Sequence, residues 1–521
     1  MDTWFVIIVS ICFAALIRSL LFRRRDGKKL PPGPSFLASN LLMLTSYGQT
    51  FKPFIRNMKS KYGPFITFFV GSRPYILVGS QELAHEILIQ KGSVFSDRPR
   101  DTFALPSIST VSYGPTWRVL RRNLTSEMLN PSHVKSYSWA RRWALHILIG
   151  RLQQQDAAGF KVDDHFLHAF FCLIIVMCFG LKLKEHHIDE IVSIIQRVVL
   201  LSQPGNWGFT LLNMFPRLGK ILLRSRWKEH VRMRNDQEQV LLPLIKSRIE
   251  AAKVEENKIL TYVDTLVNLQ LPEEETNNGN GGKLTQKKMV SICSEFVNGG
   301  TDTTVTALQW IMANLVKYPH IQSKLYDEII AEVGPPPPPP PQGVVQEYVI
   351  MEEDLRKMPY LKAVILEGLR RHSPTPFVLP HRVKEEVELQ GFTIPRGATI
   401  NFMAAEMGLD PKVWDDPMEF KPERFLVKET GSGVFDFDLN GRKGIKMMPF
   451  GVGRRMCPAA DLAILHLEYF VANLIWYFHW TAPIGYHVDF SEAHGLSTFM
   501  KNPLQVKISS RTDKTTVKDI S

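Results

Sequence analysis

The run Phe450-Gly-Val-Gly-Arg-Arg-Met-Cys457 constrains the chain more than any other stretch, because it delivers a cysteine through two glycines and a pair of arginines. Pro458-Ala459-Ala460-Asp461 and an apolar-periodic run to Trp476 follow. That spacing predicts Cys457 where a helix begins, with Pro458 at the first helical position. A cysteine there feels the positive end of the helix dipole and unpaired N–H groups, which favour thiolate over thiol and prepare a metal ligand. Gly451 and Gly453 let the approach loop bring backbone amides near the sulfur, and Phe450 can shield it from water. The competing reading is one more buried cysteine, the commonest fate of a free thiol, and the glycine-rich, arginine-bearing approach weighs against it.

The remaining cysteines are Cys12, Cys172, Cys178 and Cys293, with no Cys-x-x-Cys pair and no His/Cys zinc spacing. A disulfide framework is therefore not expected, which fits a reducing compartment. Lys and Arg outnumber Asp and Glu by 63 to 51, giving net charge +12. Such a balance suits an anionic membrane surface, an acidic protein or nucleic acid. The basic residues are scattered and no nucleic-acid-binding signature occurs, so no nucleic acid partner is expected. With 45% hydrophobic and 22% charged residues, the 521-residue chain can bury a sizeable core, as several domains or as one large α-rich unit.

Helix-type spacing of apolar residues runs through much of Gln81 to Tyr318, including Lys287 to Val316, and recurs from Pro359 to His372. Short alternating runs around Phe65 to Val78 and Phe392 to Phe402 read as strands joined by turns. The fold class is mainly α with a small β portion. Trp117 and Arg121 are four apart on an expected helix and point the same way, and Glu367 and Arg370 share a helix face likewise.

Trp4 to Phe22 is almost wholly apolar and approaches bilayer-spanning length, with Arg18 placed to snorkel and Arg23, Arg24, Arg25, Lys28 and Lys29 directly after it. The basic cluster follows the apolar run, opposite to a signal peptide, so residues 1–22 are expected to be a retained transmembrane anchor contacting membrane lipid. The remainder then lies in the cytosol. Residues 23–34 form a basic hinge ending in Pro31-Pro32-Gly33-Pro34, and 35–521 the catalytic domain. Pro272 to Lys283 reads as an exposed loop. The seven prolines Pro335 to Pro341 form a spacer of roughly 22 Å, either a tolerated insertion or a site for an SH3-like or WW-like partner.

The matches Phe450-x-x-Gly453-x-Arg455-x-Cys457, Glu367-x-x-Arg370, Pro422-Glu-Arg424-Phe425, Trp117-x-x-x-Arg121 and the distal run Phe296 to Thr304 stand in an order that resembles the cytochrome P-450 superfamily. The resemblance covers essentially the whole chain after the anchor. It departs at Ala459, where the family usually has glycine. The details are most like the plant microsomal branch, which implies the endoplasmic reticulum membrane.

The resemblance implies a single large domain holding haem b through Cys457. Glu367, Arg370 and Arg424 would form a buried structural network. Arg98, Trp117, Arg121, His381 or Arg382, and Arg455 would face the propionates, with Phe450 against the ligand. Asp302 and Thr303 would deliver protons: a hydroxyl relays and a carboxylate resupplies. Paired glycines inside a helix cost about 1 kcal/mol each against alanine. Gly299-Gly300 therefore marks either close helix packing or room for O2, and Thr303 can bond back to the Gly299 carbonyl. Phe296, Phe377, Val378 and Phe499 would line the pocket of a small apolar substrate. Electrons would come from a separate NADPH-dependent flavoprotein reductase, since no Rossmann fingerprint occurs here. The implied activity is a haem-thiolate monooxygenase. An isomerase or dehydratase working without O2, a non-enzymatic haem-binding protein and a polyproline scaffold remain as alternatives.

Overall fold

Glycine, proline and borrowed side chains set the starts of the helices that build the site. In the computed structural model, which describes residues 29–45, 51–99, 106–155, 159–201, 221, 223–253, 259–272, 282–337, 349–426 and 437–511, α1 (Pro115–Asn123) opens behind Gly114 with Pro115 in its first turn. It is followed by α2 (Ser138–Gln153) and α3 (Asp163–Phe179), which has Asp163 and Asp164 in its first turn and ends on left-handed Gly180. After α4 (Arg224–Ala251) comes α5 (Gln286–Lys317), capped by the Thr285 side chain, which accepts from the Lys288 N–H. The start of α6 (Pro359–Arg371) has no side-chain cap of its own. Its first N–H groups, those of Tyr360 and Leu361, instead donate to the Glu328 carboxylate at 2.7 and 2.8 Å. The last is α7 (Ala460–Tyr477).

A four-stranded mixed sheet lies to one side, in the order β1 (Phe65–Val70), β2 (Arg73–Val78), β4 (Thr399–Phe402), β3 (His381–Arg382). The first pair is antiparallel. β2 and β4 run parallel with Val78 opposite Phe402, and β3 returns antiparallel with His381 opposite Ile400. Near the C-terminus, β5 (Glu492–His494) and β6 (Thr498–Met500) form a two-stranded hairpin. The fold is thus mainly helical with a small β portion, and both alternating runs of the sequence supply strands.

The core is organised on α5, whose residues Thr304 to Val316 are buried on every side. A helix apolar all round belongs in the middle of a protein, and here α3, α6 and α7 pack around it. Trp310 is fully buried; its indole N–H donates to the Thr498 carbonyl at 2.7 Å, and its ring stacks on His372 at 4.1 Å.

On α6, Glu367 and Arg370 are paired at 2.7 and 2.8 Å with both side chains fully buried, and Arg424 adds a third contact to Glu367 at 3.1 Å. Arg370 also reaches the carbonyls of Gly408, Pro417 and Glu419. A buried pair of this kind is tolerable only when its remaining donors and acceptors are used up. This network ties α6 to the 408–424 segment and matches the architectural role expected of Glu367, Arg370 and Arg424.

The start of α7 differs from the sequence expectation. Its N-cap is Ala459, so Cys457 and Pro458 belong to the approach loop and Pro458 is not the first helical residue. No helix among the described residues is long and apolar enough to cross a membrane. The expected anchor, Trp4 to Phe22, lies outside the described residues, as do most of the 272–283 loop and residues 338–341 of the proline run.

Candidate active site

One cavity of about 730 Å³ is lined by both the cysteine loop and α5. The loop reaches it through a left-handed backbone at two glycines, the second of which has no room for a side chain. Gly451 and Gly453 have φ of 65° and 76°, and a Cβ on Gly453 would stand 2.3 Å from the Leu88 carbonyl oxygen. The turn closes through the Cys457 N–H, which donates to the Phe450 carbonyl at 2.9 Å. Phe450, Cys457 and Ala459 all face the cavity. Burial pushes the Cys457 thiol up, while the Ala459 N–H and the Arg121 guanidinium pull it down. Among the described cysteines, Cys457 is the one on the cavity wall; Cys178 and Cys293 contact each other inside the core, and Cys172 lines a separate groove.

Cationic side chains gather at the cavity. Arg121 donates to the Met456 carbonyl at 2.7 Å, next to the cysteine. Arg455 donates to the carbonyls of Ser96, Ile108 and Val111, and its guanidinium lies 4.8 Å from the Trp117 ring centre. Arg98, only 7% exposed, donates to the carbonyls of Ser109, Leu379 and Pro380. Carbonyls carry only partial charge, so burial dominates: Arg98 is pulled down to about 9 and Arg455 to about 10. His381 is pushed down to about 3 by burial and then by Arg98. Its Nδ1 lies 2.6 Å from the Phe95 carbonyl, which can only accept, so the proton sits on Nδ1 and the ring is neutral.

The paired glycines of the α5 wall differ in their surroundings. A Cβ on Gly299 would meet nothing within 4 Å, whereas one on Gly300 would stand 3.0 Å from Ile174 of α3. Thr303 lines the cavity and its hydroxyl donates to the Gly299 carbonyl at 3.0 Å. Asp302 does not line it; its carboxylate accepts from the Ser497 hydroxyl, and burial raises its pKa. A model of the cytochrome P450 family matches residues 30–509. The chain belongs to the cytochrome P450 family.

As a P450 the chain is an oxidoreductase whose cofactor is haem b. It is similar to cytochrome P450 89A9 of Arabidopsis thaliana, 45% identical over 97% of this chain and 98% of that one. It also resembles cytochrome P450 71B8 of Arabidopsis thaliana at 29% identity, over 96% and 97%, and costunolide synthase of Cichorium intybus at 27%, over 92% and 93%. The residues present fit the cofactor: a thiol on the wall, open space beside Gly299, and guanidiniums whose hydrogen bonds go to neutral carbonyls, which two propionates would supply with counter-charge.

Besides Asp302, two of the sequence assignments fall outside this P450 cavity. Arg382 follows His381 on a two-residue strand, so the side chains alternate: His381 faces in, while Arg382 is 29% exposed and lies 3.9 Å from Asp97. Phe499 is 37% exposed on β6, and the cavity is met instead by Gly495 and Leu496 at the hairpin tip. Phe296, Phe377 and Val378 do line it. Sequence reasoning missed Glu295. This cavity-lining carboxylate on α5 accepts from the Ser107 hydroxyl and the N–H groups of Ile108 and Ser109 at 2.9, 2.8 and 2.7 Å. The only signal available was an acid amid the apolar face of a buried helix.

Proposed function

We propose that this P450 inserts one oxygen atom of O2 into a small apolar organic substrate and reduces the other to water, with electrons from a separate NADPH-dependent flavoprotein reductase. In this reading the Cys457 thiolate holds the haem iron, and Arg98, Trp117, Arg121, His381 and Arg455 face the propionates. The iron and its thiolate supply dioxygen activation when the cofactor is bound. The protein's own part is to exclude water, leave space beside Gly299, and move protons through the Thr303 hydroxyl with Asp302 as the supply.

The observation that carries the reading is that Cys457, Gly299 and Thr303 share one largely apolar cavity with a cationic edge. Presence of Asp302 beside Thr303 favours O2 chemistry over an isomerase or dehydratase. We further assign residues 1–22 to an endoplasmic reticulum anchor and 23–34 to a hinge, on the strength of the apolar run Trp4 to Phe22 and the basic cluster behind it.

The test is the reduced, CO-bound spectrum of the full chain, followed by NADPH and O2 consumption with reductase. A thiolate-type Soret band that disappears in Cys457→Ala, together with O2-dependent NADPH oxidation, is the expected result. Retention of that band in Cys457→Ala overturns the ligand assignment, and reductase-independent turnover overturns the monooxygenase. Substrate-induced spectral shifts across a compound library then identify the substrate class.

A further inference from the structure

We propose that Ser497 is a positioning residue for proton delivery, holding the Asp302 carboxyl group from the hairpin that reaches into the substrate cavity. The inference rests on the reading of Asp302 and Thr303 as the proton route. Asp302 and Thr303 are neighbours on α5, yet only Thr303 faces the cavity, so something must fix the carboxyl group elsewhere. That partner is the Ser497 hydroxyl, on a side chain only 3% exposed and far away in sequence.

The post is rigid on one side and responsive on the other. Thr498 is pinned: its N–H donates to the Pro374 carbonyl at 2.7 Å, and its carbonyl accepts from the Trp310 indole at 2.7 Å. Gly495 and Leu496 line the cavity, and the Gly495 N–H closes the turn onto the Ser497 carbonyl at 2.9 Å. A molecule pressing on the tip therefore acts on the short turn that carries Ser497. A hydroxyl is also the suitable group here, since it donates to a carboxylate and accepts from a carboxylic acid, and so keeps hold of Asp302 in both protonation states. By donating to the charged form it opposes the upward push that burial exerts on the acid.

The experiment compares the holoenzyme with Ser497→Ala, Ser497→Thr and Asp302→Asn. The Asp302 carboxylic acid stretch is identified in the infrared spectrum as the band lost in Asp302→Asn, and is titrated with pH. Loss of a hydrogen bond to the charged form is expected to move the midpoint upward by about one pH unit in Ser497→Ala, and Ser497→Thr to restore it. With reductase, NADPH-driven O2 consumption in Ser497→Ala is expected to fall about tenfold with a larger solvent isotope effect. An unmoved infrared midpoint in Ser497→Ala, while Asp302→Asn still slows O2 consumption, overturns this inference and leaves the proton route standing. If Asp302→Asn leaves turnover unchanged, the proton route fails, and the infrared midpoint alone still decides whether Ser497 holds the acid.

Discussion

Replacing Glu295 with alanine should loosen the haem through a loop shared by the carboxylate and the two arginines we assign to the propionates. The segment 107–111 is gripped from two sides. Glu295 takes its donors at Ser107, Ile108 and Ser109, while Arg98 and Arg455 take its acceptors at Ile108, Ser109 and Val111. Hydrogen bonds to a charged group contribute about 1.5–3 kcal/mol each, and leaving the donor buried costs most of that. Three such bonds, partly replaced by water once the loop relaxes, give a loss of about 2–4 kcal/mol. If half of that is felt where the two arginines meet the cofactor, haem loss should accelerate about tenfold, since about 1.4 kcal/mol is a factor of ten. The assay is transfer of haem from holoenzyme to an excess of a haem-scavenging apoprotein, followed by absorbance. Glu295→Asp, which keeps the charge, should lie between wild type and Glu295→Ala. Glu295→Gln should fall nearer to alanine, because its amide sets donors against donors. Haem loss from Glu295→Ala unchanged from wild type would refute the reasoning, and the loop would then be held by its arginines alone.

The two glycines of α5 should answer differently to one methyl group. Gly299→Ala should fold with a melting temperature no lower than wild type, since alanine favours the helix and its methyl meets nothing, but bind O2 and CO more weakly, read by CO titration. Gly300→Ala should melt below Gly299→Ala, because Ile174 must yield at 3.0 Å to the one methyl and nothing yields to the other. Glu468 on α7 sets a pH dependence, since burial raises its carboxyl to about 7 against an ordinary 4.5. A raised acid keeps its proton in the fold, so the stabilising contribution is complete below pH 4.5 and is lost as pH rises through about 7. The melting temperature of wild type should therefore fall relative to Glu468→Gln across that window, and parallel curves would disprove it.

What could be read along the chain was whatever the site keeps local. The cysteine loop, Trp117 with Arg121, and Gly299 with Thr303 each lie within a single turn or helix, where spacing fixes direction. The errors arose where direction depends on pairing. On β3 and β6 neighbouring side chains point to opposite faces, so a choice between His381 and Arg382, or the placing of Phe499, turns on register that the sequence does not state. Pro458 was misplaced because a helix boundary shifts by a residue or two without a side-chain cap. Glu295 and Ser497 were invisible for a different reason. Their partners, at Ser107 to Ser109 and at Asp302, come from distant parts of the chain, and nothing in a lone glutamate or serine names a partner.

The guanidiniums of Arg98 and Arg455 have a consequence for the life of the protein before its cofactor arrives. Their hydrogen bonds go to carbonyls and the Asp97 and Glu295 carboxylates offset only part of the cost of burial, so a dianionic ligand that meets them adds counter-charge as it binds. Anything that binds the native state alone raises its stability by mass action. Haem binding should therefore raise the stability of the fold, and chains made without it should open more readily to proteases.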